Sequence, residues 1–183
     1  MGFAALWVLY LVVWTVAAFG SKRAVRRQPV TSAILHTFLV TLGFLLIFQP
    51  WRLGRLNVRF VPDTPTTAIC GLAIAAAGIG LAFWARFTLG GNWSSTVTVK
   101  EDHRLIRSGP YRMVRHPIYS GILLAALGTA IGYGMVPCLI GFAIASIHFW
   151  TKWRLEERFM EGQFGAQYVE YRREVKALIP GLL

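Results

Sequence analysis

Four stretches of the chain contain no Lys, Arg, Asp or Glu, and all four are long: residues 1–21, 28–51, 64–85 and 116–151. A helix of about 20 apolar residues crosses the ~30 Å hydrocarbon core of a bilayer, and inside lipid a segment must satisfy its own backbone hydrogen bonds. The fourth run has 36 residues, too many for one crossing, and is interrupted by Gly132, Tyr133, Gly134, Met135, Val136 and Pro137. It reads as a tight helical hairpin. Each arm of about 15 residues measures only ~23 Å, so the arms must extend into the flanking polar sequence. The expected fold is all-α, a multi-pass membrane protein of five transmembrane helices over 1–183, without a soluble second domain. Composition agrees: 55% hydrophobic, 15% charged and a mean hydropathy of +0.52 exclude an ordinary soluble domain or a disordered tail. Aromatics at 14% suit helix ends placed at bilayer interfaces.

The formal net charge of +11 would suggest nucleic acid in a soluble protein. Its distribution gives it another meaning. Lys22, Arg23, Arg26 and Arg27 follow the first run; Arg86, Lys100, Arg104, Arg107, Arg112 and Arg115 lie between the third and fourth; Lys152, Arg154, Arg158, Arg172, Arg173 and Lys176 follow the fourth. With five helices these 16 of the 19 basic residues share one side, against Arg52, Arg55 and Arg59 on the other. The positive-inside rule then puts the N-terminus outside and the loop and tail in the cytoplasm, whether the membrane is a bacterial inner membrane or the endoplasmic reticulum. No nucleic-acid partner is implied. The first run lacks a basic segment before it, so it reads as a retained helix and not a cleaved signal peptide. Cys70 and Cys138 sit within apolar runs and form no CxxC, which supports neither a disulfide framework nor a metal site.

Chemistry is therefore sought in the loop from about Arg86 to Arg115 and the tail from about Lys152 to Leu183. The loop is irregular, with one extended stretch near Thr96–Val99, and leads into Arg115-His116-Pro117-Ile118-Tyr119-Ser120-Gly121. Pro117 suits the first turn of a helix, where its missing N–H has no partner to lose. His116 is thus held at a helix N-terminus, whose unpaired N–H groups and positive dipole end favour an anionic group. Beyond the fourth run, His148, Lys152 and Glu156 are spaced four apart and share one helix face, followed by Glu157. Viewed alone, Lys152 and Glu156 make a surface pair worth about 0.3 kcal/mol, and the aromatics of the tail make an amphipathic helix resting on the membrane. His36 and His148, inside apolar runs, are intramembrane polar groups; a buried, hydrogen-bonded role fits His36 best.

Taken together, Gly109-Pro110-Tyr111, Arg115 to Gly121, Glu156-Glu157, Phe164-Gly165 and Tyr168 with Tyr171 resemble the isoprenylcysteine carboxyl methyltransferase family of integral membrane enzymes. Leu89-Gly90 with Trp93-Ser94 extends the resemblance, which runs to Ile179. It implies methyl transfer from S-adenosylmethionine to a lipophilic small molecule or lipidated acceptor presented from the membrane lipids, without a metal. Carried over position by position, it implies a cofactor site lined by Thr96, His103, Arg104, Leu105, Ile106, Tyr111, His116, Pro117, Ile118, Tyr119 and Glu156. The family's cationic substrate residue, often Arg, falls at Lys152, a point charge in place of a bidentate fork. Physically these types fit: Glu156 suits the cofactor's ammonium, His116 and nearby N–H groups its carboxylate, and Tyr111, Leu105 and Ile106 its adenine.

A carboxylate is nucleophilic without losing a proton, whereas an ammonium needs a base. No obvious base accompanies the motif, which favours O-methylation of a carboxylate steered by Lys152, although a tuned His148 would restore an amine route. The alternatives are a phospholipid N-methyltransferase, with its similar RHPxYxG turn and paired glutamates, a sterol reductase-like NADPH enzyme with a longer membrane domain, and a non-enzymatic scaffold. The GxG candidates for a Rossmann loop, Gly78-Ile79-Gly80 and Gly132-Tyr133-Gly134, fall within or between membrane helices. No HExxH, P-loop or GxSxG occurs, and the Asn92-Trp93-Ser94 sequon lies on the predicted cytoplasmic side.

Overall fold

A computed structural model describes residues 2–19, 24–27, 30–49, 54–93, 98–100 and 105–183. Each apolar run yields the expected helices: α1 (Gly2–Ala18), α2 (Val30–Phe48), α3 (Pro65–Leu89), and the hairpin α4 (Pro117–Tyr133) and α5 (Val136–Phe164), followed by the short α6 (Ala166–Glu174). The hairpin turns at Gly134, which takes the left-handed conformation at φ 67° and caps α4 by donating to the Ala130 carbonyl. Thr64 accepts from the Thr67 N–H and Pro65 opens α3, residue types that favour the start of a helix. The all-α expectation meets one addition, an antiparallel ribbon of β1 (Ala24–Arg27) and β2 (Thr98–Lys100) with Arg27 opposite Thr98 and Ala24 opposite Lys100.

Among the described residues α3 alone is long and apolar enough by itself to cross a membrane, with a mean hydropathy of 2.0 in its most apolar window. α1 and α4, at 17 residues each, and the apolar part of α2 are shorter. Their outward faces are nevertheless oily. Leu9, Leu11, Val12 and Val16 of α1, Phe38 and Leu45 of α2, Ile69 and Phe87 of α3 and Ile147 of α5 are all exposed, the inverse of a water-facing helix.

Small residues bring the central helices together. Gly71, Ala75, Gly78 and Ala82 of α3 lie against Gly121, Ala125, Gly128 and Gly132 of α4 so closely that a Cβ at Gly78 would fall 2.4 Å from the Ala125 nitrogen and 2.5 Å from the Gly121 oxygen. Lipid is as apolar as a leucine side chain, so such close backbone approach, and not hydrophobic exclusion, drives helix association in a membrane. Gly43 of α2 meets Gly141 of α5 in the same way.

The connections sort into two ends. The β1–β2 ribbon joins the segment after α1 to the loop after α3, while Phe60 donates to Gly134 (2.9 Å) and Val136 donates to Val58 (2.8 Å), joining the α2–α3 connection to the α4–α5 turn. Charge counting groups the same segments. At the first end the buried Arg86 caps two helices at once, donating to the carbonyls of Ala17 and Gly90 and lying 4.5 Å over the Trp93 ring. Arg86 ends the apolar run in sequence, yet α3 continues past it, with those carbonyls taking both terminal nitrogens of the guanidinium.

Gly78→Ala should destabilise the protein by about 1–3 kcal/mol, the range for overpacking a tight contact. Gly80→Ala, with open space around the added carbon, should not. Thermal unfolding in detergent measures both; equal midpoints would remove the close α3–α4 contact.

Candidate functional site

At the ribbon end, three segments distant in sequence converge on the start of α4. Gly109, at φ 58°, turns the chain so that Pro110 and Tyr111 enter the interior, where the Tyr111 hydroxyl donates to the Ala85 carbonyl at 3.4 Å. Gly165, at φ 53°, ends α5 and redirects the chain into α6. This sends Tyr168 and Tyr171 inward, each only 2% exposed, and the Tyr171 hydroxyl donates to the Tyr111 carbonyl at 2.6 Å. Taken alone, this tail reads as a helix lying on the lipid surface; in the fold its aromatics brace the GPY turn.

The tail then runs alongside the approach to α4. Arg115 and His116 donate their backbone N–H groups to the carbonyls of Lys176 (2.8 Å) and Ala177 (2.9 Å), and the Ser120 hydroxyl donates to Leu178 at 2.6 Å. The Arg115 guanidinium reaches the carbonyls of Arg172 and Val175 and binds Glu157 Oε1 through Nε (2.9 Å) and Nη2 (2.6 Å).

His116 stands between the two acids. Its Nδ1 is 3.6 Å from Glu156 Oε2 and its Nε2 is 3.3 Å from Glu157 Oε1. Residues 156 and 157 are adjacent on α5 and diverge by about 100°, so a single ring reaches both only by sitting between them. The Tyr119 hydroxyl donates to Glu156 Oε1, and the Tyr119 ring stacks on His116 at 5.5 Å with planes 6° apart. Trp153 stacks at 6.3 Å. Lys152 Nζ lies 5.6 Å from the centre of the Tyr119 ring.

Burial by itself would depress the His116 pKa, but the hydrogen bonds and charges of Glu156 and Glu157 hold it above the ordinary 6.5. Burial likewise raises both carboxyls; His116 outweighs it, with Lys152 and Tyr119 at Glu156 and Arg115 at Glu157, so both lie below the usual carboxylate value. Lys152 is pushed down by burial, with Glu156 opposing. Arg115, His116 and Lys152 against two carboxylates leave one positive charge. The carboxylates also differ in access: the Glu157 side chain, held at Oε1 by Arg115 and His116, is 10% exposed, whereas that of Glu156 is 24% exposed.

The structure thus brings Tyr111, His116, Pro117, Ile118, Tyr119, Lys152 and Glu156 to one end of the helices, with Ile106 packed against the same core and Leu105 half-buried beside it. Thr96, His103 and Arg104 lie outside the described residues. Sequence reasoning missed the Arg115–Glu157 pair and the stacking of Trp153. A signal was present: Phe149, Trp153 and Glu157 repeat at four-residue spacing, one position after the stripe His148, Lys152 and Glu156.

The isoprenylcysteine carboxyl methyltransferase family model matches residues 70–162. Protein-S-isoprenylcysteine O-methyltransferase B of Arabidopsis thaliana is 32% identical over 156 residues, covering 77% of this chain and 79% of its own. The Xenopus laevis protein-S-isoprenylcysteine O-methyltransferase is also 32% identical, over 79% of this chain and 51% of its own. The solved structure of a eukaryotic intramembrane Ras methyltransferase of the same name superposes with a TM-score of 0.62 at 27% identity, covering 80% of this chain and 52% of the other. This is a helical integral membrane protein. It belongs to the isoprenylcysteine carboxyl methyltransferase family, and spans most of the plant relative but about half the length of the frog relative and of the solved structure.

Glu157→Gln breaks a buried, doubly paired charge and should cost about 3–5 kcal/mol of stability. The pH dependence has a definite sign. The share of stability that His116 adds by pairing is complete below pH ~6.5 and lost as pH rises through its elevated native value; the share from the carboxylates is complete above ~4.5 and lost as pH falls through their depressed values. Melting temperature against pH should therefore be highest between about 5 and 7. In Glu157→Gln the alkaline decline should begin at lower pH, because His116 keeps only one anion; an unshifted decline would mean that His116 is not the titrating group.

Proposed function

We propose that this chain transfers a methyl group from S-adenosylmethionine to the carboxylate of an isoprenylcysteine-like acceptor carried in the membrane. The observation that carries the reading is Glu156: a carboxylate kept ionised by His116 and Tyr119, yet partly open, at the edge of an otherwise closed charge cluster. Its donor set suits the cofactor, since an open carboxylate matches an α-ammonium and the nearby Tyr111, Ile106 and Leu105 supply apolar surface for an adenine. When bound, the cofactor supplies a methyl already activated on a sulfonium.

The protein's own residues then orient and shield. His116 has both ring nitrogens directed at carboxylates and its N–H on Ala177, so it serves as a positioning residue that aims Glu156. Lys152, one turn before Glu156 and therefore deeper, steers an acceptor carboxylate and offsets its charge. Phe149 and Trp153, both buried, help keep water from the space beside Tyr119. Neither Lys152 nor His116 needs to accept a proton, because a carboxylate attacks as it stands. The relatives are named O-methyltransferases, which disfavours the phospholipid N-methyl alternative.

The same reading places five helices across the bilayer, with the N-terminus outside and the ribbon, cluster and tail in the cytoplasm. It is supported by the sorting of connections into two ends and by the charge asymmetry. Single cysteines introduced at Arg55 and Arg173 should react with an impermeant reagent from opposite sides. Labelling from one side only would remove this topology.

Membranes containing the protein, given S-adenosylmethionine labelled in its methyl group and an S-farnesylcysteine acceptor, should form a lipophilic product that releases labelled methanol in alkali, as an ester does. Alkali-stable label in phospholipid would point to the N-methyl route. Lys152→Met should lower turnover at least tenfold, about 1.4 kcal/mol in transition-state stabilisation, while Lys152→Arg retains activity because Arg still holds a carboxylate. Equal loss in both variants would make Lys152 a proton acceptor and contradict the clamp.

A further inference from the structure

Below the charge cluster, within the apolar runs, His36 of α2 faces His148 of α5 with ring centroids 5.2 Å apart and planes at 80°. Both are more than nine-tenths buried, and in both Nδ1 has no hydrogen-bond partner. No residue pattern pairs them, since they lie on different helices, and the hydrogen-bonded role expected for His36 is not met at this nitrogen. Buried polar atoms without partners are rare, and ionisable side chains within membrane helices characteristically line substrate or ion paths.

Their surroundings define the ligand. His148 lies one turn before Lys152 and two turns before Glu156 on the same face, ~6 Å and ~12 Å along the axis at ~1.5 Å per residue. Lys152 Nζ lies 5.6 Å over the Tyr119 ring, which in turn packs on Phe149, the neighbour of His148. The charges of Lys152 and Glu156 both bear on His36 and on His148, which places the two helices' polar groups in one electrostatic neighbourhood. Phe149, its ring centroid 4.8 Å from that of His148, closes one side. Two unsatisfied imidazole nitrogens, each able to carry its proton on Nδ1, make with one ammonium a donor set for an anion, and the ammonium's charge disfavours a cation.

We infer that His36 and His148 complete, with Lys152, a three-donor seat for the acceptor's carboxylate, so that selection for an acid over its neutral amide is made by α2 and α5 together within the membrane. This rests on the carboxylate-acceptor reading and deepens it.

The test is direct binding to the full-length protein in detergent of N-acetyl-S-farnesylcysteine and of its carboxamide, with S-adenosylhomocysteine as a folding control. The unmodified protein should prefer the acid at least tenfold. His36→Phe and His148→Phe should each lose fivefold or more in affinity for the acid, with the carboxamide and S-adenosylhomocysteine unchanged, and His148→Gln, which retains a donor, should recover part of the preference. An acid preference intact in both Phe variants, or losses equal for acid and amide, would overturn the seat and leave the histidines a packing role. Label transfer by the unmodified protein separates the two readings: transfer to the acid without acid-over-amide discrimination removes the seat alone, whereas selective binding without transfer removes the proposed reaction and keeps the seat.

Discussion

One imidazole between two carboxylates organises this end of the molecule. His116 belongs to the entrance of α4, Glu156 and Glu157 to the far part of α5, and Arg115, which clamps Glu157, is held by tail carbonyls. Burying such charges costs several kcal/mol per ion unless nearly every donor and acceptor is met, and here most are. The arrangement therefore adds more to uniqueness than to stability: only one register of hairpin, GPY turn and tail satisfies all these groups together. It also leaves Glu156 the more exposed of the two carboxylates.

Helix packing supplies the platform. The glycine and alanine contact of α3 with α4 fixes where Pro117 begins its helix, and the Gly43–Gly141 contact brings α2 against α5. Because the second contact is equally close, His36 and His148 meet inside the apolar layer. The charge cluster at one end and a polar pair in the interior thus follow from the same requirement, that helices in lipid associate through close backbone contact.

Much of the fold was legible because lipid imposes a strong pattern. The uncharged runs located α1 to α5, and the Gly134 region split the last run where the structure turns. The ribbon was harder to see, since three or four residues with no apolar alternation leave little trace; the extended stretch near residues 96–99 was its only sign. In the site, Tyr111, His116, Tyr119, Lys152 and Glu156 were found through a family pattern. The pairing of Glu157 carries little visible signal because its partner, Arg115, is 42 positions away in sequence. The use of the Arg115 and His116 N–H groups by Lys176 and Ala177 was invisible for the same reason: main-chain pairing at long range leaves no mark on residue type.

The central claim is that the cluster holds Glu156 open as a counter-charge for the cofactor's ammonium. Calorimetric titration of S-adenosylhomocysteine tests it most directly, comparing the unmodified protein with Glu156→Gln at a temperature where both are folded. Loss of a charged hydrogen-bond partner is worth about 1–3 kcal/mol, so the affinity of Glu156→Gln should fall by roughly fivefold to a hundredfold. Unchanged affinity would show that Glu156 belongs to the structural cluster alone and that the cofactor is held elsewhere.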